Sequence, residues 1–327
     1  MDPLSDVLNL LHLRGASPSR IEVGGPWAMR FRAYPYVKVG AVLTGSCRLA
    51  PDGTAPLLLG AGDCYLLTGD RPYQVGSISD PPVEPVDGHA VYQAARARTG
   101  SSSMVVRHGD PGAPDRTVVV GGSIEFDDVT AGLLLSSLPP TARIPAGNPQ
   151  AQVLRPTLQL LADETAEDRP GASVMAASLT QILFLQALRA YLELAAEAGE
   201  SGTGWLGGLS DPQIGAALGH MHQRPAYPWT VGELASAVGM SRSAFALRFR
   251  SLVGRPPLDY LMRWRIQRAA AALRGGDRTV ASVAAEWGYA SESAFSNAFK
   301  RVTGQPPARH RTLALRQGER EAAQASG

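Results

Sequence analysis

The sequence predicts an α+β chain. An N-terminal β-barrel of the jelly-roll type leads into a helical segment, and an all-α domain with two helix-turn-helix units follows. Three observations carry this reading. Over residues 21–130, short apolar runs are separated by turn-forming clusters. Near Gln150 the apolar spacing becomes that of a helix. The C-terminal third contains a block that recurs fifty residues later.

Length and charge set the frame. At 327 residues the chain is too long for one ordinary domain. With 44% hydrophobic and 18% charged residues it has the makings of folded cores. No apolar run approaches the roughly 18–20 residues of a membrane span. The opening Met1-Asp2-Pro3-Leu4 lacks a signal-peptide pattern. Cys47 and Cys64 are the only cysteines, which excludes a disulfide scaffold. The expectation is a soluble, cytoplasmic protein. A net charge of +2 hides a division. Residues 1–211 carry 15 basic and 22 acidic side chains, and residues 212–327 carry 16 and 7. A basic third on an acidic body suggests a polyanion-binding module joined to something else. Apart from Lys38 and Lys300 the basic residues are all arginine, which suits bidentate contact with phosphate or guanine.

In chain order, Leu4, Val7, Leu8, Leu10 and Leu11 predict a small helix ending at Gly15. Strands are predicted at Val37–Leu43, Cys47–Ala50, Leu57–Leu59, Cys64–Leu67 and Thr117–Val120. The turns between them include Pro51-Asp52-Gly53, Gly60-Ala61-Gly62-Asp63 and Gly69-Asp70-Arg71-Pro72. Residues 76–103, rich in Pro, Ser and Gly around Asp80-Pro81-Pro82, read as an exposed loop. Two amphipathic helices are predicted at 152–166 and 173–198, joined at Arg169-Pro170-Gly171. The second is apolar over a wide arc, which suits packing on the β domain and pairing with a partner subunit equally well. The Gly- and Ser-rich stretch that follows reads as a flexible linker. The predicted divisions are a barrel over 1–148, a helical dimerisation or packing segment over 149–200, a linker over 201–208, the helical domain over 209–315 and a disordered tail over 316–327.

The repeat is specific. Residues 240–257 and 290–307 are identical at eight of eighteen positions, sharing Ser-x-Ser-Ala-Phe, a second Phe and Gly-x-Pro-Pro. A helix is predicted before each copy, Thr230–Val238 and Thr279–Trp287, each followed by Gly. The first opens with the capping box Thr230-Val231-Gly232-Glu233. Helix, Gly turn, Ser-started helix is the helix-turn-helix pattern, present twice. The helix Leu258–Leu273 joins the units and sets the spacing of their second helices, which could enter successive major-groove segments of one duplex. At about 100° per residue, Phe245, Phe249 and Leu252 face inward in the first unit, and Phe295, Phe299 and Val302 in the second. Ser243, Ala246, Leu247 and Arg250 face out, as do Ser293, Ser296, Asn297 and Lys300. Asn297 suits bidentate bonding to adenine, and Arg250, Lys300 and Arg301 suit phosphate. Arg242 and Glu292 stand at the helix starts, at the groove edge. Leu247 has two readings: cover from elsewhere in the chain, or contact with a thymine methyl aided by Ala246.

These motifs carry a resemblance. Residues 205–311 resemble the DNA-binding domain of AraC/XylS-type bacterial transcription regulators. The match runs through Trp229-Thr230-Val231, Leu234-Ala235, Gly239-Met240-Ser241-Arg242-Ser243, Tyr260-Leu261, Trp264-Arg265, Gly288-Tyr289, Phe299-Lys300-Arg301 and Gly304-x-Pro306. His310 departs from the Tyr or Phe more usual before Arg311. The N-terminal part is similar to the cupin-type effector domain of one branch of that family. The similarity lies in Asp2 to Leu8, Pro26 to Phe31, Gly62-Asp63 with Leu66-Leu67, and Arg169 to Arg189. The resemblance implies a regulator of promoter or operator DNA that works as a homodimer or bound in tandem, recruits RNA polymerase as an activator would, and, as in many such proteins, senses a small molecule in its barrel.

Trp27, Phe31, Tyr34, Tyr36, Tyr65 and Tyr73 are the candidate lining of an effector pocket, although each would serve equally as core. Cys47 and Cys64, in neighbouring strands, read as buried small residues or as a redox pair. No metal or cofactor is expected. The barrel region offers only His89 and His108, with His12 in the first helix, and none where related metal-binding cupins would have it, near Gly40 and Tyr73. His220 and His222, two apart on a helix, diverge. The chain therefore does not read as an enzyme. The alternative, a cupin-fold metal enzyme fused to a DNA-binding module, would need ligands that the sequence lacks.

Overall fold

A computed structural model of the chain describes residues 3–10, 13–34, 36–69, 71–79, 83–99, 104–110, 112–126, 135, 137–167, 169–197, 204–275, 278–313 and 315. In chain order the elements begin with α1 (Pro3–Leu10), β1 (Leu13–Gly24), β2 (Ala28–Phe31), β3 (Tyr36–Thr44), β4 (Ser46–Pro51), β5 (Leu57–Gly60), β6 (Cys64–Thr68) and β7 (Tyr73–Gly76). Then come β8 (Val86–Asp87), α2 (Gly88–Thr99), β9 (Val105–Gly109), β10 (Arg116–Phe126), β11 (Thr141–Ile144), α3 (Pro149–Ala166) and α4 (Ala172–Glu197). The helices α5 (Trp205–Ser210), α6 (Pro212–Gln223), α7 (Val231–Ala237), α8 (Arg242–Val253), α9 (Pro257–Arg274), α10 (Val280–Glu286) and α11 (Glu292–Thr303) follow, and residues 307–313 are also helical. The chain divides into two units. One comprises Leu13–Asp127 and Leu138–Glu200; the other comprises Met1–His12, Asp128–Ser137 and Ser201–Gly327.

The first unit is built on two sheets. Six strands lie in the order β11-β6-β3-β10-β1-β9 and five in the order β5-β4-β7-β2-β8. The long antiparallel pairings of β10 with β1 (Ile21 opposite Val119) and with β3 (Gly121 opposite Gly40) form the spine of the larger sheet. Both sheets end in open edge strands, so the expected barrel is not closed; the unit is cupin-like and sheet-rich. Its core contains Trp27, Met29, Phe31, Val42, Leu49, Leu59 and Tyr73, drawn from both sheets. α3 and α4 pack on the larger sheet. Its central strand β3 is therefore shielded on both sides, with Val37, Val39 and Ala41 buried on one face and Gly40 and Val42 on the other. The 149–200 segment thus belongs to the sheet unit. α4 is long and apolar enough to cross a membrane by length and composition alone, contrary to the expectation that no segment is; yet 44% of its most apolar window is buried within the fold. Val174, Met175, Ile182 and Leu185 on α4, with Val153 and Leu160 on α3, remain exposed.

Two further departures lie in this unit. β1 runs through Gly15, where a helix end was expected. The predicted 76–103 loop contains β8 and the twelve-residue α2. Asp87 stabilises the start of that helix: its Oδ1 accepts from the backbone N–H groups of His89 (2.9 Å) and Ala90 (3.3 Å).

The second unit is helical. α1 joins it rather than the sheets, with Val7 buried and contacts to α5, α6 and α9. Residues 205–208 are no linker. They form most of α5, where Trp205 and Leu206 are fully buried and the helix packs on α8. The glycines that suggest flexibility serve close approach here: a Cβ at Gly204, whose φ is +76°, would lie 2.3 Å from Ser137 Oγ. Positions 201–203 of the expected linker, and the expected tail at 316–327, lie outside the described residues. α9 is the axis. Phe245, Phe249 and Val253 of α8 are buried, with Phe249 edge-on to Tyr260 at 5.9 Å. Phe295 and Phe299 of α11 pack with Ile266, Leu273, Val283 and Trp287. Val253, one step past the expected Leu252, makes the third inward contact, and Leu252 is half-buried.

Candidate nucleic-acid interface and inter-sheet cavity

The two second helices are built alike. Ser241 Oγ accepts from Ala244 N at 3.3 Å, and Ser291 Oγ accepts from Ala294 N at 3.2 Å. Each serine caps orphan N–H groups and fixes where its helix begins. At the far end Gly254 and Gly304 adopt left-handed conformations (φ 77° and 78°), and each donates its N–H to the carbonyl four residues back at 2.9 Å. Two identical caps on two Phe-anchored helices fix the direction of every outward side chain.

Those outward side chains are open to solvent. On α8, Arg242, Ser243, Leu247 and Arg250 are exposed and Ala246 is partly so; on α11, Glu292, Ser293, Asn297, Lys300 and Arg301 are exposed and Ser296 is partly so. Leu247 is 74% exposed, the most of any described large apolar side chain, so nothing among the described residues covers it. Arg248, adjacent in sequence, is spent differently. Its guanidinium grips Asp211 Oδ2 at 2.5–2.8 Å. Asp211 Oδ1 accepts from Gln213 N and Ile214 N at the start of α6. Burial alone would raise the Asp211 carboxyl; the Ile214 N–H, Arg248 and the Gln213 N–H outweigh it and hold the group below its usual range. This pairing fastens the outer face of α8 to α6.

Between the sheets of the other unit lies a cavity of about 350 Å³. Of the six predicted aromatics, Trp27, Phe31, Tyr36, Tyr65 and Tyr73 line it. Tyr34 does not; it stacks behind Tyr36 with ring centroids 4.0 Å apart. Leu49, Leu59, Leu67, Val75 and Val119 complete an apolar wall, and α2 contributes His89, Tyr92 and Arg96. Cys47 also faces the cavity, whereas Cys64 does not line it. Both thiols are buried, and burial together with the Asp63 charge pushes both up to about 12. That is the reverse of the exposed, lowered thiol that redox sensing needs. Among the described residues no three His, Cys, Asp or Glu side chains converge as a metal site would require. His220 is half-buried near Trp229, while His222 is buried on Trp264.

Residues 2–193 match the cupin family model, and residues 234–312 match a helix-turn-helix domain model. A Streptomyces lividans protein named for an AraC-like transcription regulator is 44% identical over 95% of this chain and 98% of its own length. The chain belongs to the AraC-type transcription regulators. A similarly named Streptomyces antibioticus protein is 41% identical over 95% of this chain and 98% of its own. Among solved structures, the DNA-binding domain of the global transcriptional factor AdpA, in complex with a target DNA, is 32% identical. It covers 33% of this chain and 96% of that one, with a TM-score of 0.31.

As an AraC-type regulator the chain is a DNA-binding protein, and its match to a helix-turn-helix domain, residues 234–312, falls within the helical unit. The sequence reading missed part of the cavity. Lys38, Tyr92, His89 and Arg96 line it, and none was among the predicted residues. For Lys38 a signal was present. It is the sole charge in the apolar run of β3 and stands two residues from Tyr36, hence on the same face. For the α2 residues there was none, since the helix itself went unread.

Proposed function

We propose that this AraC-type regulator reads double-stranded DNA through two side-chain rows. Arg242, Ser243, Ala246, Leu247 and Arg250 on α8 enter one major-groove segment. Glu292, Ser293, Ser296, Asn297, Lys300 and Arg301 on α11 enter the next. The supporting observation is the duplicated geometry: two identically capped helices, each anchored by two buried phenylalanines and each presenting an exposed row. In this reading Asn297 bonds adenine, Leu247 and Ala246 meet thymine methyls, and Arg250, Lys300 and Arg301 hold phosphates. The protein acts in the cytoplasm as a transcription factor with no enzymatic step of its own. It works as a homodimer through the exposed apolar residues of α3 and α4, and it recruits RNA polymerase.

A small molecule in the cavity is the regulatory input in this proposal. It shifts the population of states in which both reading helices engage DNA together. Selection of bound duplexes from a random pool tests the reading part. Recovered sites should contain two half-motifs about one helical turn apart, with roughly 10³-fold or greater preference over random DNA. Enrichment of no motif, or of a single half-site, would refute it.

A further inference from the structure

The cavity carries a chemical signature beyond its size. Lys38 Nζ lies inside it, donating to Tyr73 Oη at 2.5 Å. The rings of Phe31, Tyr73 and Tyr34 surround the ammonium at 4.7, 5.0 and 5.1 Å from their centroids. Among the described residues no carboxylate lies within 4.0 Å of it. Among the described residues Glu125, exposed on β10, is the one carboxylate lining the cavity. Lys38 is half-buried; a cation drawn out of water without a counter-ion is costly, and cation–π contacts and one hydrogen bond offset only part of that.

We propose that the cavity binds a small apolar organic anion, a carboxylate on a compact hydrocarbon body, with Lys38 and Tyr73 holding the charged end. This rests on the reading of the cavity as the regulatory site and names the class of its ligand. The aromatic cage would ordinarily attract a quaternary ammonium, but here the protein's own lysine occupies it, so a ligand cation is repelled. Trp27, Leu49, Leu59, Leu67, Val75 and Val119 give the cavity a hydrocarbon and indole face, which selects a ligand with an apolar body, while Ser17, Ser19, Gln93, Arg96 and Ser123 make the rest of the lining polar. A volume near 350 Å³ stands at the low end for drug-sized ligands, which limits that body to about one ring with a short chain. Burial has pushed the Lys38 amine down to about 8, and a bound carboxylate would restore its preference for the proton.

The test uses the full chain and the series from phenylacetate to 8-phenyloctanoate, with 4-phenylbutan-1-ol and 4-phenylbutan-1-amine as matched neutral and cationic probes. Binding is read by thermal shift and by tryptophan fluorescence, since Trp27 lines the cavity. At least one acid of the series, 4-phenylbutanoate foremost, should bind 30-fold or more tightly than the alcohol, and the amine should not bind. Lys38→Met should erase the acid's advantage and leave the alcohol unchanged. Tyr73→Phe, which keeps the ring, should weaken the acid about fivefold. In the unmutated protein, affinity for the acid should fall about tenfold per pH unit above pH 8, while affinity for the alcohol stays flat. Equal binding of acid and alcohol, binding of no acid below 10 mM (a limit of about 3 kcal/mol), a flat pH profile for the acid, or full acid affinity in a folded Lys38→Met variant each overturns the proposal. An acid that binds at Lys38 without changing DNA affinity refutes the regulatory reading and leaves this one standing.

Discussion

His222 offers a quantitative test of how the DNA-binding unit is held together. The imidazole lies flat on Trp264, with centroids 3.8 Å apart and planes within 5°, and its Nε2 is 2.8 Å from Tyr260 Oη. Burial, and secondarily the Arg268 charge, push its pKa down to about 3. Asp6 Oδ2, 3.7 Å from Nδ1, favours the cation but is too distant for a hydrogen bond and does not replace lost hydration. A depressed folded pKa means that the unfolded chain takes up a proton near 6.5 and the folded chain does not. Stability from this residue is therefore complete above about pH 7 and declines as the pH falls towards 3. Linkage gives a loss of about 2 kcal/mol between pH 8 and pH 5, which is about 4–8 °C in Tm. Four of the five tryptophans, Trp205, Trp229, Trp264 and Trp287, belong to this unit, so fluorescence-detected urea melts report on it. His222→Gln, which stays neutral throughout, should begin less stable for want of stacking but lose about 2 kcal/mol less over the same interval. Parallel pH dependences for the two proteins would show that the imidazole is not held neutral and that the burial argument fails.

Other perturbations separate reading from scaffolding. Leu247→Ser should leave stability unchanged, because the side chain is already solvated. It should weaken specific DNA about tenfold, near 1.4 kcal/mol and about half the value of a fully buried leucine, with random DNA unaffected in a binding titration. Arg250→Ala and Lys300→Gln should each lower affinity for all sequences and reduce the salt dependence of binding by about one unit in the log–log slope. Phe249→Ala, by opening the core between α8 and α9, should cost about 3–5 kcal/mol in a denaturant melt. Replacing both Cys47 and Cys64 by Ala should leave the response of DNA affinity to mild oxidant as it is in the unmodified protein; an oxidant response lost in that variant would revive the thiol as a sensor.

What could be read from the sequence followed from how locally each feature is encoded. The tandem units are local: a serine cap, phenylalanines four apart and a glycine stop each act within one or two turns, so two copies announce themselves. The cavity is not local. It exists because β3, β10 and β1 of one sheet face β4 and β7 of the other, and no spacing within a single strand specifies that closure. Lys38 shows the consequence. In sequence it is a lone charge in an apolar strand, which ordinarily marks a solvent-facing position; only the facing rings of Phe31 and Tyr73 make it an interior cation. The misread segments share a cause as well. α5 and α2 sit among Gly, Ser and Pro, residues whose local preference is for turns, and both were overridden by a few tertiary anchors, Trp205 and Leu206 for α5 and the Asp87 cap with Tyr92 for α2. Composition measures what a segment would do alone. In this chain the deviations from it occur where a segment covers a core or closes a cavity, so the glycine-rich α5 and the loop-like α2 are where substitutions that seem harmless on composition would disturb the DNA-binding unit and the ligand cavity respectively.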